Sequence, residues 1–356
     1  MKYSNNFTEE VGHHYVDRFC AICDAEEPFG VIPVDATWYN ASSKTFTLTT
    51  REQLAGLAYL VNTGNNFSGK TILLGNHIDL GNDEWIPIGT AEKVFAGTFD
   101  GQLFSISNLK ITTDISYVGL FGNVTGTIKR LEIKNANVNV SGKNNYVAIC
   151  CGYITSENIS EITVDGYLSA PDSCYVGGVL GGAICSGVPV YQSLSNTADV
   201  TGMDYVGGVA GWLKNERNSG DSTMTVNKLS NSGEIIGNDN VGGIAGALTC
   251  YNGSYSSTNM MATGLVNTGN VSGKTFVGGI AGYAFAEREV TLFDSVLADS
   301  SSSAAINGES YVGGLFGKIE KITLDDCSNA GSTVTATGYI LNETTYEAYV
   351  GGYAGY

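Results

Sequence analysis

Tyr205-Val-Gly-Gly-Val-Ala-Gly211 is one of eight copies of a short motif that sets the fold of this chain. The others read Tyr117-VGLFG, Tyr146-VAICCG, Tyr175-VGGVLG, Asn240-VGGIAG, Phe276-VGGIAG, Tyr311-VGGLFG and Tyr349-VGGYAG, so an aromatic residue opens seven of the eight. From first residue to first residue the copies are 29, 29, 30, 35, 36, 35 and 38 apart. That is the period of solenoids and repeat arrays.

Between the copies the chain is rich in Val, Ile, Thr, Ser, Asn and Gly and has no apolar run at helical spacing, so each unit should consist of short strands and turns. A second signal recurs in Asn196-TADVTG, Asn231-SGEIIG, Asn267-TGNVSG and the stretched Asn329-AGSTVTATG. We read these as corners, where Asn and Gly adopt left-handed backbone at little cost. The Val after the opening residue and the residue three further on are both apolar, although positions three apart in a strand face opposite ways. A bend at Gly-Gly turns both into one core. Stacked in register, such units form a parallel β-solenoid. Extra residues, as between Gly211 and Asn231 and after Gly338, are expected in edge loops.

With its following turns, the motif resembles the GLUG repeat of bacterial surface and secreted proteins, including adhesin-like chains and regions of some IgA-peptidase-type proteins. The stretch TLTTREQLAGLAYLVNTGNNFSGKTILLGNHIDL, then WIPIG, FAGTFDG, ISNLKI and YVGLFG, resembles the lead-in that commonly precedes such repeats, so the likeness spans about Thr45 to Tyr356. The resemblance implies a secreted β-solenoid and no particular reaction.

Net charge is −17 over 356 residues, and no Lys/Arg cluster interrupts the acidity. This argues against nucleic-acid partners and anionic membranes. No stretch is long and apolar enough to cross a membrane, and Met1-KYSNNFTEEV lacks the basic and hydrophobic regions of a signal peptide. The last motif has no polar segment after it, so we expect a piece of a longer exported protein. Cys185 and Cys250 share a motif-relative position two repeats apart, beyond disulfide reach, and most repeat cysteines are expected as free core thiols.

Three regions carry candidate chemistry. His13, His14, Cys20 and Cys23 offer the N/S donors that zinc prefers. The segment also resembles small His…Cys-x-x-Cys modules preceding surface repeats, but lacks an upstream Cys; structural zinc, a Cys20–Cys23 disulfide and a free pair all stay open. Asp79, Asp83, Glu84 and Asp100 gather where the solenoid should start. They could be a catalytic carboxylate set or a calcium site, but Asp79 and Asp100 each sit beside a turn, where the side chain bonds backbone amides. Lastly, Tyr117, Tyr146, Tyr175, Tyr205, Phe276, Tyr311 and Tyr349 could stack as a ladder, serving either internal packing or a carbohydrate platform. Only three histidines are present, and no phosphate loop, dinucleotide fingerprint or His-Glu-x-x-His helix appears.

Thr50-Arg-Glu-Gln53 has capping-box spacing, Leu54, Leu57, Ala58 and Val61 follow at helical intervals, and Gly64 can stop the helix. The expectation is therefore all-β: residues 1–35 form a small Cys/His segment, 36–116 an N-terminal cap with one short helix and the first coils, and 117–356 a parallel β-helix of eight GLUG-like repeats, incomplete at its C-terminus. Functionally it reads as a non-catalytic extracellular adhesin-like or spacer module needing no cofactor beyond a candidate structural zinc, with surface glycans or proteins of host or microbe as partners. The alternatives are a β-helix polysaccharide lyase or hydrolase, or the non-catalytic region of a secreted peptidase.

Overall fold

The computed structural model describes residues 32–143, 146–155, 158–219, 222–255, 258–293, 296–297, 304–329, 332–341, 344–346 and 348–356, and the strand pair Tyr15–Val16 and Phe19–Cys20. The fold is an all-β parallel solenoid with one helix among the described residues. In one coil, strand Asp239–Gly242 carries the start of a motif, Ala245–Tyr255 follows after the bend, and Thr258–Asn267 and Val271–Ser272 complete the circuit. Each strand pairs in parallel with its counterparts one coil away.

Register follows the motif. Val118, Val147, Val176, Val206, Val241, Val277, Val312 and Val350 stand opposite one another through an eight-stranded parallel sheet. The first seven are fully buried, whereas Val350, with a neighbour on one side only, is 53% exposed. The Gly-Gly bend is present. Strand Tyr175–Gly177 stops at the first glycine, and strand Leu180–Cys185 begins a second sheet, leaving Val176 and Val179 in one core.

Two sequence expectations change. Asn196, Asn231 and Asn267 do not occupy left-handed corners; they are buried and form a ladder through the solenoid. Asn196 Nδ2 donates to Asn231 Oδ1 at 2.7 Å, and Asn231 Nδ2 to Asn267 Oδ1 at 2.8 Å. Each amide also donates to the carbonyl two residues on: Ala198, Gly233 and Gly269. The left-handed corner beside them instead falls on Arg130, Glu161, Ser193, Lys228 and Gly264. These precede Leu131, Ile162, Leu194, Leu229 and Leu265, which are buried and in register, so the inward packing of the next side chain outweighs a modest backbone cost.

Extra residues lengthen strands instead of forming loops. The interval after Gly211 is taken up by strands Ala210–Ser219 and Ser222–Asn231, against Leu180–Cys185 and Val190–Asn196 in the shorter coil. Gly253 likewise lies within strand Ala245–Tyr255. Among the described residues, the segment after Gly338 leaves the stack, as an antiparallel hairpin of Tyr339–Leu341 with Thr344–Tyr346.

At the other end, helix Arg51–Asn62 packs Leu54, Leu57, Ala58 and Val61 on the first coils. Thr50 Oγ1 accepts from Gln53 N–H, Gln53 Oε1 accepts from Thr49 N–H at 2.8 Å, and Gly64 at φ +114° ends the helix. Parallel stacking begins before the first motif, where Thr45–Leu48 pairs with Thr71–Leu74 and this with Thr98–Asp100. Cys150, Cys151, Cys174, Cys185, Cys250 and Cys327 are thiols that take no part in a disulfide. Cys185 and Cys250 share one column with Asn215 between them, and burial pushes the Cys250 thiol up to about 12.

Candidate functional site

The motif aromatics form a stripe along one outer face. Tyr117 meets Tyr146 at 5.6 Å between centroids, Tyr146 stacks on Tyr175 at 4.8 Å, and Tyr175 on Tyr205 at 5.2 Å. After Asn240 the stack resumes: Phe276 on Tyr311 at 5.0 Å, and Tyr311 on Tyr349 at 4.8 Å with the rings nearly parallel. Their spacing follows from parallel register, because identical positions one coil apart lie about 4.8 Å from each other. All are half-buried except the exposed Tyr349. Tyr205, Asn240, Phe276 and Tyr311 have φ between 49° and 55°, a conformation uncommon for bulky residues. Stacking offsets part of its cost.

A second column, absent from the motif pattern, flanks the stripe. Tyr153, Gly182, Trp212, Ala247, Tyr283 and Lys318 stand opposite one another on the strands after the bend. Tyr153 stacks on Tyr117 at 5.2 Å and Trp212 on Tyr175 at 5.4 Å. The Lys214 ammonium lies 5.0 Å from the Trp212 centroid and 4.9 Å from that of Tyr251, and Lys318 lies over Phe276, Tyr283 and Tyr356. Each lysine also pairs with a carboxylate at 2.5 Å, Lys214 with Glu216 and Lys318 with Glu320. The face is thus aromatic with balanced charge, on a strongly acidic protein. Strand alternation places residues 212, 214 and 216 on one face, but which motif ring each meets is set between coils.

The four candidate acids have structural partners. Asp79 Oδ1 accepts from Asn108 Nδ2 at 2.7 Å and Gly81 N–H at 2.8 Å, which lowers its pKa. Asp83 pairs with Arg51 at 2.7 Å. Glu84 clamps Thr112 and Thr113 through their amides and hydroxyls. Asp100, 4% exposed, accepts a two-pronged bond from Arg130 and one from Gln102 N–H at 3.0 Å, with Lys129 at 3.6 Å. Burial alone would raise its pKa; the Arg130 and Gln102 hydrogen bonds and the two cations outweigh that and hold it below the usual carboxylate range.

A depressed folded-state pKa contributes stability above the unfolded-state value, near about 3.9, that is lost as pH falls through the folded value. Asp100→Asn should therefore lower stability by about 1–3 kcal/mol at pH 7. The deficit should shrink as pH falls below about 4, first as the unfolded parent's carboxylate takes up a proton and then as the native one does. Urea unfolding at pH 7 and pH 3 checks this; an equal deficit at both would rule out the ionised pair as the cause.

His77 Nδ1 lies 2.8 Å from Ser105 Oγ and accepts Ser105 N–H at 3.0 Å, tying two coils together. No group of three metal-ligating side chains occurs among the described residues. Of the zinc candidates, His13, His14 and Cys23 lie outside the described residues, and Cys20 is described only as a strand residue. Two grooves of about 440 and 410 Å³ adjoin the cap. The first is apolar, lined by Ile32, Val34, Tyr59, Trp85 and Ile86; the second runs from Ile86 to Tyr117, where the stripe begins.

No family model and no curated protein matches this sequence. Among solved structures, the chain is similar to one from Bacteroides ovatus named a "putative immunoglobulin A1 protease". The TM-score is 0.50 at 19% identity, over 87% of this chain and 84% of that one. At this identity the likeness extends to the β-solenoid fold. No helix among the described residues is long and apolar enough to cross a membrane.

Proposed function

We propose that this chain is a non-catalytic, extracellular binding region of a bacterial GLUG-repeat protein, and that the aromatic stripe is its contact surface. The observation that carries this is the stack Tyr117, Tyr146, Tyr153, Tyr175, Tyr205 and Trp212, six half-buried rings along one face. Aromatic faces left half in water suit ligands with one apolar face and a hydroxylated rim, as in surface glycans, or aromatic side chains of a protein. The clustered acids serve the fold: they are tied to Arg51, Arg130 and backbone amides.

Retention on immobilised host and bacterial polysaccharides and on whole cells tests the proposal. The parent should be retained and the double variant Tyr175→Ser/Trp212→Ala released at least tenfold faster, with unchanged circular dichroism. Glycan or immunoglobulin turnover that is lost in Asp100→Asn would overturn the non-catalytic assignment.

A further inference from the structure

Packing along the stripe follows one rule. The motif residue of each coil lies against the residue seven places beyond the next coil's motif residue. Tyr117 stacks on Tyr153, Tyr175 on Trp212, Phe276 lies beneath the same Lys318 ammonium that its rule-partner position supplies, and Tyr311 meets Tyr356 edge-on at 5.6 Å. Where the partner is Gly182, the Tyr146 ring fills the space a Cβ would need.

The rule breaks once. Tyr283 should receive a ring from the coil before it, but that coil's motif opens with Asn240. The next rings in the ladder, Tyr205 and Phe276, are two coils apart, about twice the ~4.8 Å interstrand spacing. Stacked neighbours elsewhere in the ladder are 4.8 to 5.2 Å apart, so the interval has the height of one further ring. Ala247, between Trp212 and Tyr283 in the flanking column, adds no ring. The half-buried Asn240 amide forms no hydrogen bond among the described residues. Tyr205 lies in the coil before Asn240 and Tyr283 in the coil after it, and Tyr283 is near enough to Tyr205, Tyr251 and Glu320 to feel their charge.

We propose that this break is a slot for one pyranose ring of a neutral glycan, which takes the place of the missing motif ring. Its apolar face stacks on Tyr283, and its hydroxyls bond the Asn240 amide and the flanking phenols. The surroundings disfavour an anionic glycan: Lys214–Glu216 and Lys318–Glu320 are self-compensated pairs, on top of burial Asp204 and Asp239 lie close enough to Tyr205 to raise its pKa, and the net charge of −17 repels polyanions. An inserted aromatic side chain would fill the same volume but leave the Asn240 amide unpaired. The slot presupposes that the stripe is the contact surface.

The test is titration of the full chain with soluble oligosaccharides of β-glucan, mannan, xylan and galactan, and with oligogalacturonate as the anionic control, followed by calorimetry and Trp212 emission. At least one neutral series should bind. Asn240→Tyr should weaken that binding at least tenfold without lowering the melting midpoint, because Tyr205 and Tyr311 already hold phenol rings at the equivalent backbone conformation. Asn240→Ala, which keeps the opening but removes the amide, should weaken it less. Binding by Asn240→Tyr as tight as the parent's, but lost in Tyr175→Ser/Trp212→Ala, overturns the slot and leaves the stripe as the contact surface. Binding unaffected by either variant overturns both. No neutral series bound, or oligogalacturonate bound more tightly, overturns the slot as well.

Discussion

Gly243→Val should cost about 3 kcal/mol and loosen the coils on both sides of the substitution. A Cβ at Gly243 would fall on the Gly279 carbonyl oxygen and on the side-chain amide of Asn267, well inside van der Waals contact. Neither can retreat easily. The Gly243 amide donates to Gly278 O at 3.1 Å across the coils, and Asn267 is the lower rung of the buried amide ladder. The second glycine of other copies is as confined, with Gly178 against Asn196, Gly208 against Asn231 and Gly314 against Asn329. In a stacked array each coil draws stability from its two neighbours, so the damage should appear in hydrogen exchange as lost protection in residues 204–213 and 275–284. A midpoint within about 1 °C of the parent, with protection intact, would mean that the bend accommodates a side chain.

Asn231→Ala should cost about 2–3 kcal/mol, although it removes little apolar surface. It deletes the acceptor of Asn196 Nδ2, the donor to Asn267 Oδ1 and the donor to Gly233 O in one step, inside a region with no water contact. Asn267 keeps the Gly269 amide as a second partner, which limits the loss on that side. Asn329→Leu makes the contrasting case. Its Oδ1 is buried without a partner, and the residue opposite it one coil earlier is Leu297, which has no amide to donate. That substitution also gives up the 2.6 Å bond from Asn329 Nδ2 to Gly352 O, so we expect a change of under about 1 kcal/mol. Urea unfolding of the two variants side by side checks the ladder. Equal effects would show that Asn231 acts as a turn residue and not as a rung.

The sequence alone determined the parallel solenoid, its register and its capping helix. A repeat of 29 to 38 residues carries the same information in each coil, so one local decision, the bend after the motif valine, is made eight times and aligns Val118 through Val350 without reference to the rest of the molecule. Thr50 with Gln53 at one end of the helix and Gly64 at the other each act on backbone within a few residues, and their roles were equally legible. The turn bonds of Asp79 and Asp100 were readable for the same reason, but the Arg130 partner, 30 residues away, was not. What needed the tertiary structure was every property that exists only between coils. Asn196, Asn231 and Asn267 look like corner residues in one dimension, and become rungs only when stacking sets their amides within hydrogen-bond reach. Corner positions fell to Arg130, Glu161, Ser193 and Lys228, which sequence preference would not select, because inward packing of the following residue fixes the backbone. The flanking column of Tyr153, Trp212 and Tyr283 and the break at Asn240 likewise arise from an offset of one coil between a motif ring and its partner, a relation that no single repeat contains.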